Sequence, residues 1–206
     1  MIQLKDVSKK FKQHDVLRQI NLNINRGRVY GFQGINGSGK TMLLRAILGL
    51  IRIDGTLLVR GQVLKFGQKY PLEAGIFIEK PSILLEFSAM KNMKLMAALK
   101  PQATTDECQH YLKRFYLNPD DKRKVKTYSL GMKQKLGLAQ AFIGKPELIV
   151  LDEPTNALDQ KSISVLCDVI KEHKQRGASI LIASHQIDAL AGVIDETYTL
   201  EHGVLL

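Results

Sequence analysis

The sequence predicts an α/β fold: a mainly parallel sheet flanked by helices, an antiparallel β segment at the N-terminus and a helical subdomain inserted in the middle. Three observations predict it. Gly34-Ile35-Asn36-Gly37-Ser38-Gly39-Lys40-Thr41 fits G-x-x-x-x-G-K-[ST] at every position. It lies between a short apolar strand, Arg28 to Phe32, and a run of helix formers, Met42 to Leu48. Two later apolar runs, Leu148-Ile149-Val150-Leu151 and Ser179-Ile180-Leu181-Ile182-Ala183, read as strands buried on both faces.

The first of these observations specifies a P-loop NTPase core. A strand feeding a glycine-rich turn that opens a helix gathers backbone N–H groups into one concavity. The helix N-terminus adds its partial positive charge there. Lys40 then reaches the β- and γ-phosphates of a nucleotide, and the Thr41 hydroxyl is a ligand for Mg²⁺.

The remaining elements follow in order. Residues 2–32 read as β structure, with Ile20, Leu22 and Ile24 at period two and Asn25-Arg26-Gly27 as a turn. Phe11, in a polar stretch, suits either stacking on an adenine ring or a half-buried strand position, and spacing alone does not choose. Helix 42–48 ends near Gly49; strands follow at 55–61 and 74–79. From about 81 to 145 the pattern is helical, with helices at 88–100, 106–116 and 129–143. Met90, Met93, Leu95, Met96 and Leu99 make the apolar face of the first, and its methionines read as core filling. Beyond strand 148–151, a helix spans 160–176 with Gly177 as its C′ residue. A strand at 179–183 and a hairpin from Thr197 to Leu206 complete the chain. One domain over 1–206 accommodates all of this.

Composition narrows the classes. Hydrophobic residues make up 45% of 206, typical of a globular chain. No apolar run reaches the ~18 residues that cross a bilayer, and the N-terminus lacks a signal-peptide core. Two cysteines, Cys108 and Cys167, fit no metal or redox spacing, so a reduced, cytoplasmic setting is expected. The net charge of +10 is densest at Lys122-Arg123-Lys124-Val125-Lys126, Lys133 and Lys135. No aromatics interleave there as base stacking requires, so a solvated basic face, with room for a contribution facing lipid, is favoured over nucleic acid.

Two further clusters carry chemistry. Strand 148–151 delivers Asp152-Glu153, the Walker-B arrangement: Asp152 as a Mg²⁺ ligand, Glu153 as a base that orients water. His185, directly after strand 179–183, falls at the carboxyl end of a parallel strand, where ligands bind.

Together with Tyr128-Ser129-Leu130-Gly131-Met132-Lys133-Gln134, Leu151 to Asp159 and Ala183-Ser184-His185, the loop gives four motifs in one order. Over nearly the whole chain this resembles the nucleotide-binding subunit of ABC transporters, most of all the subfamily exporting antimicrobial peptides, as in bacitracin and lantibiotic self-protection. The resemblance implies roles. Phe11 resembles the adenine-stacking aromatic, and residues 34–41 the ATP phosphate site. Ser129 and Gly131 resemble signature residues that bind the ATP held by the opposite subunit. Asn156 to Asp159 resembles the loop coupling two sites across a head-to-tail homodimer or heterodimer. Glu153 and His185 resemble the general base and switch histidine, with ATP and Mg²⁺ as cofactors.

A separate transmembrane permease is the implied partner, docking on the helical block and the loop after Glu79 and holding the chain at the inner face of the membrane. Two departures stand out: Leu130 replaces a signature glycine, and Glu79 replaces a glutamine that serves as a metal-site residue. The competing class, non-transport relatives in translation or DNA repair, carries two cassettes or a coiled-coil insertion. Thr41 to Tyr128 holds no sustained heptad.

Overall fold

The computed structural model describes residues 1–79 and 83–206. Two long strands, β1 (Ile2–Phe11) and β2 (His14–Ile24), pair antiparallel around a tight turn at Lys12. Their inward residues break strict alternation. Leu4 and Val7 both face the core, as do Leu17 and Ile20, and register shifts in the ladder with left-handed Asp6 and Gln19 absorb the odd residue. Asn21 clasps the first kink, accepting from the Asp6 N–H and donating to the Asp6 carboxylate. β4 (Asp54–Val59) and β5 (Gln62–Val63) complete a four-stranded sheet in the order β2-β1-β4-β5.

The second sheet has six strands: β3 (Val29–Gln33), β6 (Ala74–Phe77), β7 (Leu148–Asp152), β8 (Ser179–Ser184), β9 (Glu196–Glu201) and β10 (Val204–Leu205). Their order is β10-β9-β3-β8-β7-β6, and all pairings are parallel except the terminal β9–β10 hairpin. Period two divides this sheet between two cores. Tyr30, Phe32, Leu148, Val150 and Leu181 pack with the four-stranded sheet and α1 (Lys40–Ile47). Ile149, Leu151, Ile180 and Ile182 pack against α2 (Ala89–Ala97), α3 (Thr105–Arg114), α4 (Leu130–Phe142) and α5 (Gln160–Gln175). Each such side chain taken from water contributes about 1.5–3 kcal/mol, which is why the middles of β7 and β8 are apolar; Ser179, buried at the start of β8, is accommodated because its hydroxyl donates to the Asn25 carbonyl.

Four helices open on side-chain caps: Ser88, Thr104, Ser129 and Asp159 each accept from the N–H three residues on. Gly177, at φ 87, follows α5 as expected. Some boundaries differ from the sequence reading. The strand expected over 55–61 ends at Val59 and turns into β5, and the strand expected over 74–79 ends at Phe77. The helix expected over 88–100 stops at Ala97, so Leu99 is exposed on the following turn, and Leu95 is partly exposed, while Met93 is fully buried. The expected start of the helical block at 81 lies outside the described residues. Within the basic stretch, Lys124 and Lys126 share Glu86, and Arg123 pairs with Asp121. Cys108 and Cys167 are both free thiols.

Candidate nucleotide site

β3 lies between β8 and β9 in the sheet, so the loop it feeds emerges beside the carboxyl ends of its neighbours. Gly39, at φ 109, is the N-cap of α1. A side chain there would meet the Val16 carbonyl at 2.6 Å, so both conformation and space demand glycine. Lys40 is buried, and its ammonium donates to the carbonyls of Gly34 (2.7 Å) and Ile35 (3.1 Å), with Glu153 Oε1 at 3.8 Å. Residues Gln33 to Ser38, with His185, Gln186 and the β9–β10 turn, enclose a cavity of about 810 Å³.

Thr41 joins this loop to β7: its hydroxyl donates to Asp152 Oδ2 at 2.7 Å. Asp152 is buried, and its Oδ1 has no hydrogen-bond partner. Burial pushes the Asp152 carboxyl above its ordinary value, helped by the Glu153 charge and opposed by Thr41, the Glu79 backbone and Lys40. A buried, unsatisfied carboxylate oxygen beside a hydroxyl suits a hard divalent cation, which takes oxygen ligands and completes its shell with phosphate oxygens and water. The residues present therefore fit Mg²⁺.

Glu153 follows at φ 49, a conformation that turns its side chain away from the strand's alternation. The carboxylate accepts from the His185 N–H (3.0 Å), from His185 Nδ1 (2.8 Å) and from the Ser184 hydroxyl (3.2 Å). A carboxylate acceptor requires the proton on Nδ1, which leaves Nε2 free to face outward. The structure thus gathers Lys40, Thr41, Asp152, Glu153 and His185, which the chain separates widely.

Phe11 ends β1 with its ring 60% exposed, unlike a half-buried strand residue. It lines a cleft of about 560 Å³ with Val16, Met42, Arg45 and Phe66. Glu79 extends its carboxylate to Arg45 (2.8 Å) rather than to the Thr41–Asp152 pair.

Ser129, Gly131 and Asp159 form a second group. Ser129 caps α4, accepting from the Met132 N–H at 3.2 Å, and Leu130 is 71% exposed beside it. Gly131 lies against the Ala157 carbonyl, where a Cβ would come within 2.7 Å. Asp159 caps α5 through the Ser162 N–H (2.8 Å) and pairs with Lys135 (3.0 Å). Ser162 first, then Lys135, hold its carboxyl down to about 2. Among the described residues no hydrogen bond links these three to the phosphate loop. The link runs through Gln134, a buried side chain that donates to the Glu153 carbonyl (3.1 Å) and the Pro154 carbonyl (3.4 Å). Sequence reasoning assigned Gln134 no role. The available signal was a polar residue four positions before Leu138, on the same face of the helix.

Comparison with known proteins agrees with this geometry. The family model described as ABC transporter matches residues 17–156. The chain is 37% identical over 206 residues to an uncharacterised ABC transporter ATP-binding protein, YybJ, of Bacillus subtilis (strain 168), covering 100% of this chain and 94% of that protein. It is 33% identical over 202 residues to the lantibiotic transport ATP-binding protein SrtF of Streptococcus pyogenes, covering 96% of this chain and 87% of the relative. Among solved structures it superposes on an ATP-binding subunit of an ABC transporter with a TM-score of 0.88 at 26% identity, over 100% of this chain and 88% of the other. The chain belongs to the ABC transporter family, as one of its ATP-binding, ATP-hydrolysing subunits.

Proposed function

We propose that this subunit powers the export of a peptide or other antimicrobial compound by hydrolysing Mg-ATP at the loop of Lys40. The observation that carries the chemistry is the Glu153 carboxylate, held by three donors from Ser184 and His185 and set 3.8 Å from the Lys40 ammonium. A carboxylate fixed in this way accepts the proton of a water attacking the γ-phosphorus in line. Lys40 exchanges its two carbonyl partners for phosphate oxygens, and the amides of residues 34–41 stabilise the charge that develops. Thr41 and Asp152 would hold Mg²⁺, which would supply positive charge to offset that of the phosphates. Glu79 joins them only if its side chain leaves Arg45. His185, anchored to Glu153 through Nδ1, faces the γ-phosphate with Nε2 and donates to it in the imidazolium form, because a phosphate oxygen only accepts. Phe11 offers its open ring to the adenine.

Ser129, Gly131 and Asp159 serve the ATP of an opposite subunit, so each site needs two chains. A helix N-terminus capped by Ser129 is suited to a phosphate. A separate permease supplies the membrane passage and holds this subunit at the inner membrane face. Among the described residues no helix is long and apolar enough to cross a membrane. The exposed Leu84, Leu85 and Phe87, with Glu86 between Lys124 and Lys126, offer the permease an apolar surface with an ionic centre. The cargo assignment follows the likeness to the lantibiotic transport protein SrtF. It is tested by co-expressing the chain with a candidate permease from an adjacent reading frame and measuring peptide resistance with and without Glu153→Gln. Resistance that survives loss of hydrolysis removes this function.

A further inference from the structure

We propose that Arg45 is a positioning residue: it holds the Glu79 carboxylate off the Thr41–Asp152 pair and so lowers the affinity of that site for its divalent cation. The proposal rests on the nucleotide-site reading above. Thr41 and Arg45 stand at i and i+4 on α1 and therefore share one face of the helix. Arg45 Nη2 donates to Glu79 Oε1 at 2.8 Å. Glu79 has left the β6 ladder and adopts φ 58, a conformation uncommon for a side chain of its size. Its backbone lies close enough to Asp152 to favour the ionised carboxyl there, while its own carboxylate points to Arg45. Asp152 Oδ1 remains without a partner.

The pair is built to open. The two side chains are 35% and 55% exposed, and ion pairs of that kind hold with an advantage of up to about fivefold. Arg45 also lines the cleft of Phe11 and Met42, so a nucleotide entering there meets the guanidinium that restrains Glu79. Once released, Glu79 adds a second carboxylate to the one that Asp152 provides.

Removing Arg45 also removes a positive charge, which by itself favours a cation, so the test is a double-mutant cycle. Mn²⁺ affinity is measured by electron paramagnetic resonance on the full chain with a non-hydrolysable ATP analogue, in wild type, R45Q, E79Q, R45Q/E79Q and R45K. R45Q is expected to tighten Mn²⁺ about two- to fivefold. In the E79Q background the same change should have less than half that effect, and R45K should match wild type. Equal tightening in both backgrounds would reduce Arg45 to a general charge and overturn the proposal. An R45Q protein that binds Mn²⁺ no more tightly than wild type would overturn it as well. If wild type itself takes up no Mn²⁺ with the analogue, the reading of Thr41 and Asp152 fails, and the proposal with it.

Discussion

Glu153 shows how much one backbone angle decides. Extended geometry would send its side chain along the alternation of β7, into the helical core. At φ 49 it turns instead to the end of β8 and collects Ser184 and His185. Glu153→Gln keeps the shape and loses the base. Turnover should fall by about 10²–10⁴-fold, while a fluorescent ATP analogue binds within a few-fold of wild type. An ATPase rate near wild type would remove Glu153 from the chemistry. Gln134 acts at the same scale through its amide. Gln134→Leu leaves the Glu153 and Pro154 carbonyls without that donor in a buried setting, and about 1–3 kcal/mol of stability should be lost in urea unfolding. Turnover should fall with it, because these carbonyls belong to the segment that carries Glu153.

At the scale of elements, the helical block is tied to α5 by a buried polar contact. Tyr111 on α3 meets His173 Nε2 at 2.7 Å, beside the Phe115 and Phe142 rings, and Arg114 grips Glu172 with both carboxylate oxygens at 2.7 and 2.8 Å. Burial, then the charge of Arg176, hold His173 down to about 4, with Glu172 opposing and Lys100 and Arg114 assisting. The folded chain therefore refuses a proton that the unfolded chain accepts near pH 6.5. Stability from this group is complete above that pH and drains away as pH falls toward 4, by about 3 kcal/mol at most. His173→Gln keeps a partner for Tyr111 but cannot titrate. Its unfolding free energy should vary less between pH 7.5 and pH 5 than that of wild type, and an unchanged difference would show that other groups carry the slope. The elements themselves were legible in the sequence wherever a pattern ran long enough, as in β7, β8 and α5. Leu95 and Leu99, on the apolar face the sequence shows, are exposed, because periodicity shows that a face is apolar, not how much neighbouring structure covers it.

At the scale of the whole molecule, the site divides into two groups. Lys40, Thr41, Asp152, Glu153 and His185 converge. Ser129 and Gly131 stand apart at the exposed start of α4, and Asp159 at the start of α5, joined to the first group by Gln134. Such a division suits a head-to-tail pair of chains, each completing the other's site. Glu153→Gln with Mg-ATP should elute at twice the monomer mass by light scattering, and adding Ser129→Arg should return it to the monomer mass. A monomer under the first condition would argue against shared sites.

The sequence by itself determined the phosphate loop, the two buried strands, the Asp152-Glu153 pair and the order of the motifs, because each is written in contiguous residues whose spacing has direct backbone consequences. Only the tertiary structure decided where Glu79 sends its carboxylate, that Asp152 keeps an oxygen unsatisfied, and that Gln134 bridges the two groups. These depend on side chains from strands and helices distant in sequence meeting across the sheet, and local spacing carries no record of that meeting.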